Sequence, residues 1–231
     1  MLVGIFSREG DSCYDWLVQQ LLSPMFKPLV TDVRCVYISN TGSQNFYNEV
    51  SKCAFAILYH SKKRGRINVT DVVDSLYDEE LMHLSRALGK DRVVVVIDDL
   101  EDSTLAEKNR ILSEQRSIAA LATDLFLISE SEKSSIQLTG SPWAESLYQN
   151  GRAMSVREKL ETLKQIIGRG QRRRSKIWII FVCLAIVVIV VIIIVSVNQK
   201  QLHSPDIIGP TVNTSREEIK ISTSRNDLKI T

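Results

Sequence analysis

Residues 78–99 read Asp78-Glu79-Glu80-Leu81-Met82-His83-Leu84-Ser85-Arg86-Ala87-Leu88-Gly89-Lys90-Asp91-Arg92-Val93-Val94-Val95-Val96-Ile97-Asp98-Asp99, and this stretch decides the fold. Its first half sets Leu81, Leu84, Ala87 and Leu88 on one face of a helix that opens on acids and stops at Gly89. Negative charge in the first turn complements the helix dipole, and Asp74 or Ser75 is the expected cap. The second half, 92–97, is apolar at every position after the arginine, as in a parallel strand buried on both faces.

The same alternation extends in both directions. Strands are expected at 2–6, 33–38, 54–59 and 125–128, and helices at 14–22, 45–50, 107–122 and 156–167. Strands that alternate with helices build βαβ units. With right-handed crossovers, the expected fold is α/β: a flavodoxin-like three-layer sandwich on a five-stranded parallel sheet of order 2-1-3-4-5. Residues 129–155 are the least regular part.

A different signal follows at Ile177 to Val197, a run of 21 residues whose one polar member is Ser196. At 1.5 Å per residue it reaches roughly 31 Å, against about 30 Å for the hydrocarbon core of a bilayer. A single transmembrane helix is therefore expected. Arg169, Arg172, Arg173, Arg174 and Lys176 form a basic collar before it, while Lys200 stands alone behind it until Arg216. By the positive-inside rule the N-terminus is cytoplasmic and the C-terminus luminal or extracellular. The start, MLVGIFSREG, lacks the basic region of a signal peptide. The expected organisation is a cytosolic domain over 1–168, the collar at 169–176, the span at 177–197 and a disordered tail at 198–231. Asn213, in an Asn-Thr-Ser sequon, is the expected glycosylation site, and Asn68 should stay bare. The collar also suits anionic headgroups, so the lipid bilayer is the first expected partner.

Composition removes several classes. Lys+Arg 29 against Asp+Glu 27 is no histone-like balance, and four cysteines form no disulfide framework. No Walker lysine pattern or glycine-rich phosphate loop follows the first strand, where the sequence is FSREGDS.

In such sheets ligands bind beyond the carboxyl ends of the strands. The candidate rim is Ser7, Arg8 and Glu9, Ser39 and Asn40, His60 and Ser61, Asp98 and Asp99, and Ser129 and Glu130. Asp98-Asp99 resembles a magnesium-binding acidic pair, but such sites also gather carboxylates at the first and third strands, and here the third ends in His60. A solvated or helix-capping pair is the expectation, and no metal site. His60 and His83 lack ligand partners at metal spacing and read as rim or surface groups. Cys13, Cys35 and Cys53 read as small buried hydrophobes in a reducing compartment. The basic loop of Lys62, Lys63, Arg64 and Arg66 suits phosphate or an acidic surface, with plain solvation as the simpler reading. Without interleaved aromatics, no nucleic-acid partner is expected.

The stretches FSREGDSCYDWL (6–17), FAILYHS (55–61), SLYDEEL (75–81) and VVVVIDD (93–99) resemble Toll/interleukin-1-receptor (TIR) domains over residues 1–130. Phe6-Ser7, Asp11 and Trp16-Leu17 match the family's first strand, turn and helix. Glu80 falls where its enzymatic members carry the catalytic glutamate, and Leu76 where the family has an aromatic. The resemblance implies a membrane-anchored interaction or signalling module that works by self-association or adaptor docking. Its alternative implication is an NAD-cleaving enzyme using Glu80, with NAD as substrate; under the first reading no cofactor is expected.

Overall fold

The computed structural model describes residues 1–40, 43–137 and 156–202, with side chains for all of these but 43, 137, 172–181 and 195–202. Five strands, β1 Leu2–Ser7, β2 Asp32–Tyr37, β3 Phe55–Ser61, β4 Val93–Leu100 and β5 Asp124–Ser129, form one sheet in the order β2-β1-β3-β4-β5. Every pairing is parallel. The helices are α1 Asp15–Leu22, α2 Ser43–Lys52, α3 Asp78–Leu88, α4 Leu105–Glu114, α5 Arg116–Leu121, α6 Glu130–Gln137 and α7 Val156–Leu202. The expected α/β class and strand order are what the chain adopts.

Strand alternation divides the core. Ala56 and Leu58 of β3, with Val93, Val95 and Ile97 of β4, pack toward α2, α3, α4 and α5. Phe55, Ile57 and Tyr59, with Val94 and Val96, pack toward α1 and the start of α7. The valine, leucine, isoleucine and phenylalanine side chains buried this deeply each contribute about 1.5–3 kcal/mol, so the central strands hold the layers together. Gly4 is where backbone and core meet most closely: a Cβ there would lie 2.5 Å from the Phe6 ring and 2.7 Å from Cys53 Sγ.

Three expectations change. The single helix at 107–122 breaks at Gln115, whose buried side chain turns inward. Its Oε1 accepts from Val69 N and Thr70 N, both at 3.0 Å, and its Nε2 donates to Ile67 O at 2.9 Å. Irregularity after residue 129 is only partial, because α6 begins at Glu130. Finally, α3 has Tyr77 at its cap position with no side-chain cap bond; Ser75 instead donates to the Asp78 carboxylate.

The chain divides into two compact units, Met1–Phe181 and Val182–Thr231. Among the described residues no helix is long and apolar enough to cross a membrane. Residues 177–197 are helical within α7, and of their side chains those of 182–194 are described. From Leu184 to Ile194 the large apolar side chains are all about half exposed. The tail expected at 198–231 begins as helix to Leu202; its remainder, with Asn213, lies outside the described residues.

Candidate functional site

The carboxyl ends of β1, β3 and β4 converge on Asp98 and Asp99, which are buried rather than solvated or capping. The β4–β5 ladder shifts register between Ile97 and Leu100, and Asp99 sits in the left-handed region at φ 60°. That irregularity turns both carboxylates inward. Trp16 Nε1 and Tyr59 Oη donate to Asp98 Oδ2 at 2.8 and 2.5 Å. Lys133 Nζ bridges Asp98 Oδ2 at 2.8 Å and Asp99 Oδ1 at 2.7 Å. Lys63 reaches Asp99 Oδ1 at 3.1 Å, and Ser61 donates to Asp99 Oδ2. Asp99 Oδ1 meets both ammonium groups through charge, without a well-directed hydrogen bond. Burial raises the Asp99 carboxyl, but Lys133, Ser61 and Lys63 outweigh it and hold its pKa below the ordinary value. Burial likewise opposes the charge on Lys133, and the adjoining Asp98 and Asp99 carboxylates win, raising its pKa. Burial and then the Asp98 charge push the Tyr59 phenol up, which keeps it a donor.

A second network fills the mouth of β1. Arg8 Nη2 pairs with Glu80 Oε1 at 2.7 Å, and both side chains are mostly buried. Arg8 Nε donates to Leu76 O at 2.9 Å, its Nη1 donates to Asn40 Oδ1, and its main-chain N–H donates to Tyr77 Oη at 3.2 Å. One guanidinium thus joins the end of β1, the segment that follows β2 and the start of α3. Ser7 Oγ donates to Tyr59 O at 2.9 Å. Glu9 Oε1 lies 3.6 Å from Arg64 Nη1 without a hydrogen bond; burial raises its pKa against the pull of Arg64.

The basic loop is not a free patch. Lys62 pairs with Glu101 at 3.1 Å, Lys63 with Asp99, Arg64 with Glu9, and Arg66 with Asp74 at 2.9 Å. Among the described residues, no group of three or more His, Cys, Asp or Glu could hold a metal ion. Cys35 is exposed on β2, against expectation, and Cys13 is half-buried. Cys53 is buried and its thiol is pushed up to about 11 by desolvation. Of the collar, Arg169 is exposed; the side chains of Arg172, Arg173, Arg174 and Lys176 lie outside the described ones.

The residues missed were the partners. Lys133 lies in a stretch read as irregular. So does Glu132, whose Oε1 takes Lys159 Nζ of α7 at 2.6 Å in a second buried ion pair. Lys159 also donates to Leu127 O at 2.8 Å and Ser103 Oγ at 3.1 Å. Ser129 N donates to Glu132 Oε2 at 2.9 Å beside the register shift. Only an isolated base within ESEKSS hinted at Lys133.

His60, expected at the rim or surface, is fully buried. Its Nε2 lies 3.0 Å from Arg66 O, and because a carbonyl only accepts, Nε2 carries the proton; Nδ1 has no partner. Burial lowers its pKa below 6.5. Below pH 6.5 the unfolded chain therefore binds a proton that the folded chain refuses, and stability falls until the folded pKa is reached. The slope cannot exceed about 1.4 kcal/mol per pH unit. His83, packed against Tyr47, also has a lowered pKa, so the comparison must be internal. Urea midpoints at pH 7.5 and 5.5 should differ less in His60→Asn than in the native chain. An equal difference in both would exclude His60 as a source.

No known protein family, curated protein or solved structure matches the chain.

Proposed function

We propose that this chain is a single-pass membrane protein whose N-terminal domain is a cytosolic interaction or signalling module, acting by self-association or adaptor docking. The carrying observation is that the charged groups at the strand ends are spent on one another. Glu80 is paired to Arg8, and Asp98 and Asp99 are paired to Lys133 and Lys63. A catalytic carboxylate aimed at a sugar bond would have to part from its guanidinium first. This weighs against the NAD-cleaving alternative and against NAD as a ligand. The resemblance of residues 1–130 to TIR domains supports a module that recognises its own kind. The basic collar and the apolar run at 177–197 support the anchor, with the N-terminus cytoplasmic.

The test uses the full chain reconstituted in vesicles. Energy transfer between labelled copies should rise with surface density, and NAD should be left intact at every density. Turnover that disappears in Glu80→Ala and survives in Glu79→Ala would replace this reading with the enzyme.

A further inference from the structure

Charge is laid out differently at the two ends of the sheet. At the carboxyl ends the bases are matched by acids: Arg8 pairs with Glu80, Lys62 with Glu101, Lys63 with Asp99, Arg64 with Glu9 and Arg66 with Asp74. At the amino ends they are not. Among the described residues, Lys27 ahead of β2, Arg86 in the last turn of α3, Lys90 ahead of β4 and Arg169 of α7 are exposed and have no carboxylate partner. Lys90 Nζ donates to Ala119 O at 2.5 Å, a neutral carbonyl that leaves its charge unbalanced. The acids at this end are engaged elsewhere. Asp124 pairs with Lys108 at 2.5 Å and Glu49 with Lys52 at 2.6 Å, Asp32 accepts from Val33 N at 2.9 Å, and Asp91 too is not free.

The basic collar leaves the domain at this same end, because α7 runs against the strand direction. Near its start, Lys159 Nζ donates to Leu127 O and Ser103 Oγ, beside the carboxyl ends of β5 and β4. Further along, α7 meets the amino ends. A Cβ on Gly168 would lie 3.5 Å from Leu29 Cδ1, and one on Gly170 would lie 3.1 Å from Arg92 Cγ and 3.5 Å from Asp91 O. The helix then continues through the collar to Phe181 within the same compact unit. From Gly170 to the apolar run at Ile177 it advances roughly 10 Å. That is close to the Debye length at physiological salt, about 8 Å, so an anionic surface at Ile177 is felt at the amino ends of the sheet.

We infer that the amino-end face of the sheet, with Lys27, Arg86, Lys90 and Arg169, lies on the anionic headgroups of the leaflet that the apolar run enters. The face extends the charge of the collar onto the folded domain. This inference rests on the single-pass reading and deepens it by fixing which end of the domain meets the bilayer. Unmatched bases near an anionic leaflet each strengthen attachment, whereas bases already paired to acids add little. The acid-rich carboxyl ends, with Glu80 and Asp99, are then turned away from the lipid.

The experiment uses full-length chain in vesicles of phosphatidylcholine, alone or mixed with phosphatidylserine. An impermeant acetylating reagent reaches only outward-facing domains, and mass spectrometry reads the rate at each lysine. Lys27 and Lys90 should react about fivefold more slowly on the mixed vesicles, the effect of one base held at an anionic surface. Lys62, at the opposite end, should react equally on both. High salt should abolish the difference. Arg86→Gln combined with Arg169→Gln should remove most of the slowing at Lys27 and Lys90; both positions are exposed, so thermal unfolding should match the native chain. If that variant unfolds, the comparison of Lys27 with Lys62 in the native chain decides alone. Equal rates at Lys27 on both vesicles, or slowing at Lys62 in its place, would overturn this face while a chain that survives a high-salt wash keeps its anchor. A chain that the wash releases from both vesicles would overturn the single-pass reading itself.

Discussion

Lys159→Met should destabilise the domain by about 3–5 kcal/mol, because it leaves Glu132 buried with its charge uncompensated. The methionine fills the volume, so packing is not the cause. The Ser103 and Ser129 donors that remain on Glu132 Oε2 offset only part of the loss. Urea unfolding followed by tryptophan fluorescence measures it. Adding Glu132→Leu should restore much of the stability, since a buried pair replaced on both sides by apolar groups costs little. A Lys159→Met chain within 1 kcal/mol of native would show that Glu132 finds water or another donor.

Asp98→Ala should cost a similar amount, about 3–5 kcal/mol, by removing the acceptor shared by Trp16, Tyr59 and Lys133. Asp98→Asn keeps an acceptor but no charge and should cost less. A pH series adds a sign. The lowered pKa of Asp99 means that its contribution is complete above its unfolded value of 3.8 and is lost as pH falls through the folded pKa. Lys133→Met should flatten that acid limb. If the limb is unchanged, Ser61 and Lys63 suffice to hold the charge.

Local patterns carried the fold. The run at 93–97 and the leucines at 81, 84 and 88 report burial directly, because strand and helix periods are written in neighbouring residues. Asp98 and Asp99 were visible as residues, but their state was not. Whether two adjacent acids face water or a lysine depends on Lys133 and on a register shift, and neither leaves a local pattern. Gln115 illustrates the same limit. A helix-compatible residue breaks a helix because three main-chain groups of a loop near residue 70 need its amide. Arg8 and Glu80 also lie 72 positions apart in the chain, although both had been singled out.

The buried pair of Glu132 and Lys159 has a consequence in time. The chain is made from its N-terminus, so every strand of the sheet is synthesised before the cation that closes it. Until residue 159 emerges, a sheet built from residues 1–129 must leave the Glu132 carboxylate in water or carry it unpaired. Loop closure over such separations is what slows folding, and Trp16 to Asp98 adds another of 82 positions. The final commitment of the domain to its native state therefore waits for α7, the helix that leads on into the apolar run. Completion of the α/β fold and emergence of that run become consecutive events in one polypeptide.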